Sequence, residues 1–108
     1  MRVVQISEDA LEDLNNGHLF YEAQESGLGE YFAACLRADI EGLRISAGVH
    51  RVVYRDYHRL LSKVFPYGIF YTIEQESAVV WAVIDLRRSP EWVRKRLENQ
   101  DRTSGWSQ

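Results

Sequence analysis

Residues 78–86 read AVVWAVIDL, and Asp85 is the one polar position among the nine. A run of β-branched and aromatic side chains with no polar face belongs in a sheet that other elements cover on one or both sides. It meets Arg87 and Arg88 and then, after Ser89, Pro90, which forces a turn. A buried central strand is a rigid platform, so side chains at its rim are held in fixed positions. The rest of the chain has to supply the layers that cover this strand.

Upstream, RVVQIS predicts a short strand over residues 2–6, closed by Ser7. Ser7 suits a helix N-cap, with Glu8 and Asp9 at the positive end of the helix dipole. Leu11, Leu14, His18 and Tyr21 follow at spacings of three and four, which predicts one apolar helix face running to about Ser26. Asn15, Asn16 and Gly17 are poor helix formers in succession and mark a weak point there. GLG at 27–29 reads as a turn, and Phe32, Leu36, Ile40 and Leu43 predict a second helix from about Gly29 to Ala47. Gly48 then stands where a left-handed C-cap belongs. Cys35 beside Leu36 reads as a small core hydrophobe, since no neighbour in sequence would activate its thiol.

Three strand signals follow, at 58–65, 67–74 and 78–86, with Pro66 at a boundary and QES as a tight connection, so they predict an antiparallel meander. Pro90 opens a short helix, PEWVRKRLE, at 90–98. The expected fold class is α+β, in the order β-αα-βββ-α, with an antiparallel sheet packed against a helical hairpin. One domain over residues 1–98 and a flexible C-terminal tail over 99–108 account for the chain. In this reading one face of the small sheet stays apolar and uncovered.

No stretch reaches the roughly 18 apolar residues of a membrane span, and the N-terminal residues lack a signal-peptide core, so a cytoplasmic protein is expected. The single cysteine agrees with a reducing compartment. The net charge of −3 hides a division: residues 1–48 carry three basic and nine acidic side chains, residues 49–108 ten basic and seven acidic. A basic second half suits phosphates or an acidic protein partner.

His18, His50 and His58 lack the spacings of metal sites, and GxGxxG, Walker A and GxSxG sequences are absent. Neither a metal nor another cofactor is expected. The stronger feature is the series Arg51, Arg55, Arg59 and Lys63, interleaved with His50, His58, Tyr54 and Tyr57. It fits either a charge-protected edge strand or a surface facing phosphate or carboxylate. Arg55, Arg59, Lys63, Arg87 and Arg88 are therefore the candidate target-binding residues. For metal-free RNA cleavage, His58 is the candidate base, with Lys63 and Arg88 stabilising the crowded phosphate. No acid–base pair singles itself out.

The order of elements, the helix EDALEDLNNGHLFYEAQ, the turn GLGEYF and above all YHRLLSKVFPYGIFYTIEQESAVVWAVIDLRRSPEW resemble the RelE/ParE superfamily of toxins from bacterial type II toxin–antitoxin (plasmid stabilisation) systems. The likeness covers residues 3 to about 97. It implies a growth-inhibiting toxin neutralised by a cognate antitoxin, and the basic second half and uncovered apolar face predict that this partner is acidic and partly disordered until it docks. RelE-like members cut messenger RNA on the ribosome with basic residues and a C-terminal tyrosine; ParE-like members poison DNA gyrase. The arginine that RelE-like members carry in the strand matching PYGIFY falls on Gly68, and their later arginine falls on Arg88. Their tyrosine falls close to residues 92–94, and the chain has no tyrosine after Tyr71. The resemblance therefore implies a ParE-like protein that binds DNA gyrase or another macromolecule, with a ribosome-dependent mRNA endonuclease as the alternative; whether the chain forms a homodimer is left open.

Overall fold

The computed structural model describes residues 1–102. The elements are β1 (Val3–Ile6), α1 (Glu8–Gln24), α2 (Leu28–Glu41), α3 (Leu43–Ser46), β2 (Val52–Tyr54), β3 (Tyr57–Leu61), β4 (Tyr67–Glu74), β5 (Ser77–Asp85) and α4 (Pro90–Glu98). The α+β class and the helical hairpin are as the sequence predicts, and four details differ. The second helix divides at Gly42, so α3 carries Leu43 into the core separately. The strand expected at 58–65 ends at Leu61, and residues 52–54 add β2, which residue patterning did not show. The sheet is mixed rather than wholly antiparallel: its order is β1-β5-β4-β3-β2, and β1 runs parallel to β5.

β5 is buried because both faces of the sheet are covered. The α1–α2 hairpin packs on Ile69, Tyr71, Val80 and Val83 of one face, through Tyr21, Phe32, Leu36 and Ile40. On the other, Phe70, Val79, Trp81 and Ile84 form a second cluster with Leu97 and Val93 of α4. The bare apolar face expected from sequence is therefore absent, because α4 folds back over it. The strand signal alternates imperfectly for a structural reason. Phe70 pairs with Ala82 but Tyr71 pairs with Val80, so Trp81 has no register partner in a β-bulge. Trp81 and Ala82 consequently both face α4, and Val83 returns to the hairpin side.

α1 is continuous through the Asn-Asn-Gly weak point. A Cβ at Gly17 would stand 2.5 Å from the Phe32 ring, so the poor helix former is what lets α2 approach α1. Tyr21 is buried as expected of the inner stripe, but Leu11 is exposed, and Ala10 and Gly17 are buried instead. Glu22 holds the connection by accepting the backbone N–H groups of Gly27 (3.0 Å) and Gly29 (2.9 Å), which keep its carboxyl below the usual range. Residues 103–108 of the expected tail lie outside the described residues. Before them, Gln100 Nε2 donates to Asp9 (2.9 Å), and Arg102 pairs with Asp56 and Glu74 while lying over Tyr57 and Trp81. None of the helices among the described residues is long and apolar enough to cross a membrane.

Candidate functional site

Between the sheet and α4 lies a cleft of about 250 Å³. Val53, Phe70, Leu86 and Leu97 give it an apolar floor, and Arg59, Arg88 and Arg94 line it. Each arginine is placed by a different element. Arg59 pairs with Phe70 in the β3–β4 ladder and so faces α4, since neighbouring strand residues alternate sides. Arg88 follows the end of β5, where the Arg88 N–H bonds the Asp85 carbonyl at 3.1 Å in the turn before α4. Arg94 comes from α4, whose entry is set by Ser89 as N-cap (Trp92 N–H to Ser89 Oγ, 3.1 Å) and Pro90 at the first turn. Val93 and Leu97, four residues apart, seat the helix on the sheet, and Arg94 flanks that seat.

Gly68 makes room for Arg59. A Cβ there would come within 3.0 Å of Phe70 Cε1, 3.1 Å of Leu86 Cδ2 and 3.3 Å of Arg59 Cγ. The arginine expected at this position by likeness would compete for the space that the Arg59 stem occupies.

The cleft holds cations without acids. Among the described residues no carboxylate forms an ion pair with Arg59, Arg88 or Arg94. Unpaired guanidinium groups on an apolar floor suit an oxyanion, because each presents forked N–H donors where water is partly excluded. Tyr54 closes one end, but its hydroxyl donates to Glu98 at 2.8 Å, which raises its pKa. Arg55, in a left-handed turn conformation (φ 52), stacks on the Tyr54 ring and stands 3.9 Å from Glu98.

The other sequence candidates lie elsewhere. His58 faces the hairpin side, stacked on Tyr71 (5.0 Å between centroids) with its Nδ1 2.7 Å from the His50 carbonyl. His50 Nδ1 in turn shares a 2.6 Å hydrogen bond with the Tyr71 hydroxyl, and burial holds the imidazole of His50 below its ordinary pKa. Lys63 is exposed in the β3–β4 loop, which Asp39 of α2 ties down by accepting from Ser62 Oγ (2.8 Å) and the Lys63 N–H (3.3 Å). Arg87 turns to Asp85 (2.7 Å) and the Tyr21 hydroxyl (3.4 Å). The structure thus brings Arg59 and Arg88 together and keeps His58 and Lys63 away from them. Arg94 escaped the sequence reading; the Val93–Leu97 spacing beside it was the available signal. No metal-binding group of three or more His, Cys, Asp or Glu occurs among the described residues.

Arg88 also borders a second cavity, of about 450 Å³, between α1 and α4. There Asp13 accepts from the Val83 N–H (2.9 Å) and Arg96 (2.8 Å), joining α1, β5 and α4. Burial outweighs both partners and lifts the Asp13 pKa to about 6.

No protein-family model matches the sequence, and no curated protein matches it. Among solved structures, the chain is similar to one from the chromosomal ParDE TA system of P. aeruginosa, with a TM-score of 0.68 at 11% identity, over 79% of this chain and 96% of that one. It is also similar to the isolated E. coli RelE toxin, with a TM-score of 0.58 at 14% identity, over 91% of this chain and 98% of that one. At these identities the likeness shows the fold: the RelE/ParE-type architecture expected from the motifs is the architecture of this chain.

Proposed function

We propose that this chain is the toxin of a type II toxin–antitoxin pair and that it acts by docking on a macromolecular target through the arginine cleft. One observation carries the docking mode: Arg59, Arg88 and Arg94 surround the cleft while the histidines that could move a proton lie elsewhere. Anion recognition in a cleft without a histidine or carboxylate in its lining, and with its one phenol, Tyr54, already bonded to Glu98, is binding chemistry, and it favours a ParE-like target such as DNA gyrase. The fold shared with chains from a ParDE system and with a RelE toxin supports the toxin assignment. An acidic antitoxin segment that folds on docking is the proposed partner, and the cytoplasm the proposed compartment. The groove of about 510 Å³ between β1 and the hairpin, with Val4, Leu11, Leu14 and Ile40 in its lining, is a suitable seat for its apolar side chains.

The ribosome-dependent mRNA endonuclease is the second reading, favoured by Arg88, which stands where likeness places a RelE-like arginine. Inducing the chain alone and together with the product of its neighbouring gene tests the toxin assignment; normal growth in both cultures counts against it. Assays of gyrase supercoiling and of transcript integrity in a translating extract then separate the two targets. Arrested supercoiling with intact transcripts supports docking, and cleaved transcripts support the nuclease. The triple variant R59A/R88A/R94A should abolish whichever effect the wild type shows.

A further inference from the structure

α4 carries a tryptophan with no place in the core. Val93 and Leu97 join the cluster beneath the helix, but Trp92 does not, and it is 40% exposed. Its ring instead carries the Arg88 guanidinium, whose Cζ lies 4.3 Å from the ring centroid. A guanidinium lying over an aromatic face is attracted by the ring quadrupole and keeps its N–H edge open to a ligand. Without the ring, the Asp85 carboxylate three residues back competes for that charge. It already binds Arg87 and already feels the charge of Arg88.

We propose that Trp92 is a positioning residue: its indole holds the Arg88 guanidinium at the junction of the arginine cleft and the cavity beside α1, ready for an entering oxyanion. The ligand chemistry is that of a phosphate or carboxylate group, which accepts the paired N–H donors in plane. This rests on the docking reading of the cleft only for its binding consequence; the placement of Arg88 stands by itself. Trp92 adds no hydrogen-bonding group, so its contribution is orientation.

The test follows the arginine Nε–H signals of the full chain by NMR while inorganic phosphate and, separately, acetate are titrated in. The wild type should show one Nε–H signal shifted upfield by the indole ring current, and R88K should remove it. W92A should also remove it and weaken binding of the preferred anion about 2- to 5-fold, the usual range for an exposed cation–π contact. W92F should restore part of both effects, whereas K95A, which removes an exposed charge from the same helix, should leave the signal in place. An unshifted Arg88 signal in the wild type, or one that W92A leaves unchanged, overturns the positioning role. A signal lost in W92A with anion affinity unchanged overturns the docking consequence. Failure of R59A and R94A to weaken anion binding would then show that the cleft reading itself has failed.

Discussion

Gly68 and Asp13 show how far one residue reaches in this molecule. Gly68 is buried between Phe70, Leu86 and the stem of Arg59, so even a methyl group intrudes on three neighbours. G68A should cost about 1–3 kcal/mol of stability, measured by urea unfolding, and should also displace Arg59 and weaken target docking. Asp13 makes a different prediction. Its folded pKa of about 6 lies above the 3.8 of an ordinary aspartate, so the folded state holds the proton more tightly than the unfolded chain. The stability linked to this group is fully present below about pH 4 and is lost as the pH rises to about 6, on the order of 3 kcal/mol in all. Asp56, Asp85 and Glu22, all held below their ordinary values, slope the other way. The Asp13 contribution therefore shows as a difference: between pH 4 and 6.5, stability of the wild type should fall relative to D13N. Parallel curves would show that Asp13 keeps the ordinary aspartate pKa in the folded protein.

At the scale of elements, α4 decides most of the site. It walls the cleft with Pro90, Val93, Arg94 and Leu97, and it covers the sheet face that would otherwise be apolar and bare. Among its tethers are the buried Leu97, the bonds from the Tyr57 hydroxyl to the Leu97 carbonyl (3.3 Å) and from the Tyr54 hydroxyl to Glu98 (2.8 Å), and the Arg96–Asp13 pair. L97A should cost about 2–5 kcal/mol, with amide exchange accelerating first in residues 90–98 and in the Trp81 region beneath them. Uniform acceleration across the hairpin and α4 alike would show that α4 has no separate seat. Residue patterning identified α4 and its proline start correctly. It could not show what the helix covers, because the partner surface is built from β3, β4 and β5 together.

Across the whole molecule, the division of charge along the sequence becomes a division in space. The acidic first half builds β1 and the helical hairpin, and the basic second half builds the rest of the sheet and α4 with its arginine cleft. Docking through the cleft should be steered by charge, so association with the target should slow about tenfold or more between low salt and roughly 0.5 M salt. Stopped-flow measurement across a salt series checks this; a flat series would remove the electrostatic part of the proposal.

The sequence by itself determined the buried strand at 78–86, the two-helix hairpin and the helix opened by Pro90, because each is written in local periodicity and capping residues, while the RelE/ParE-type architecture was implied by the resemblance of its motifs. It also singled out Arg59 and Arg88. Only the tertiary structure decided that they meet with Arg94 while His58 and Lys63 do not. Strand alternation turns Arg59 and His58 to opposite faces, and Asp39 draws the Lys63 loop toward the helices. The bare backbone at Gly68 and the return of α4 complete the cleft, and both depend on contacts between residues far apart in the chain.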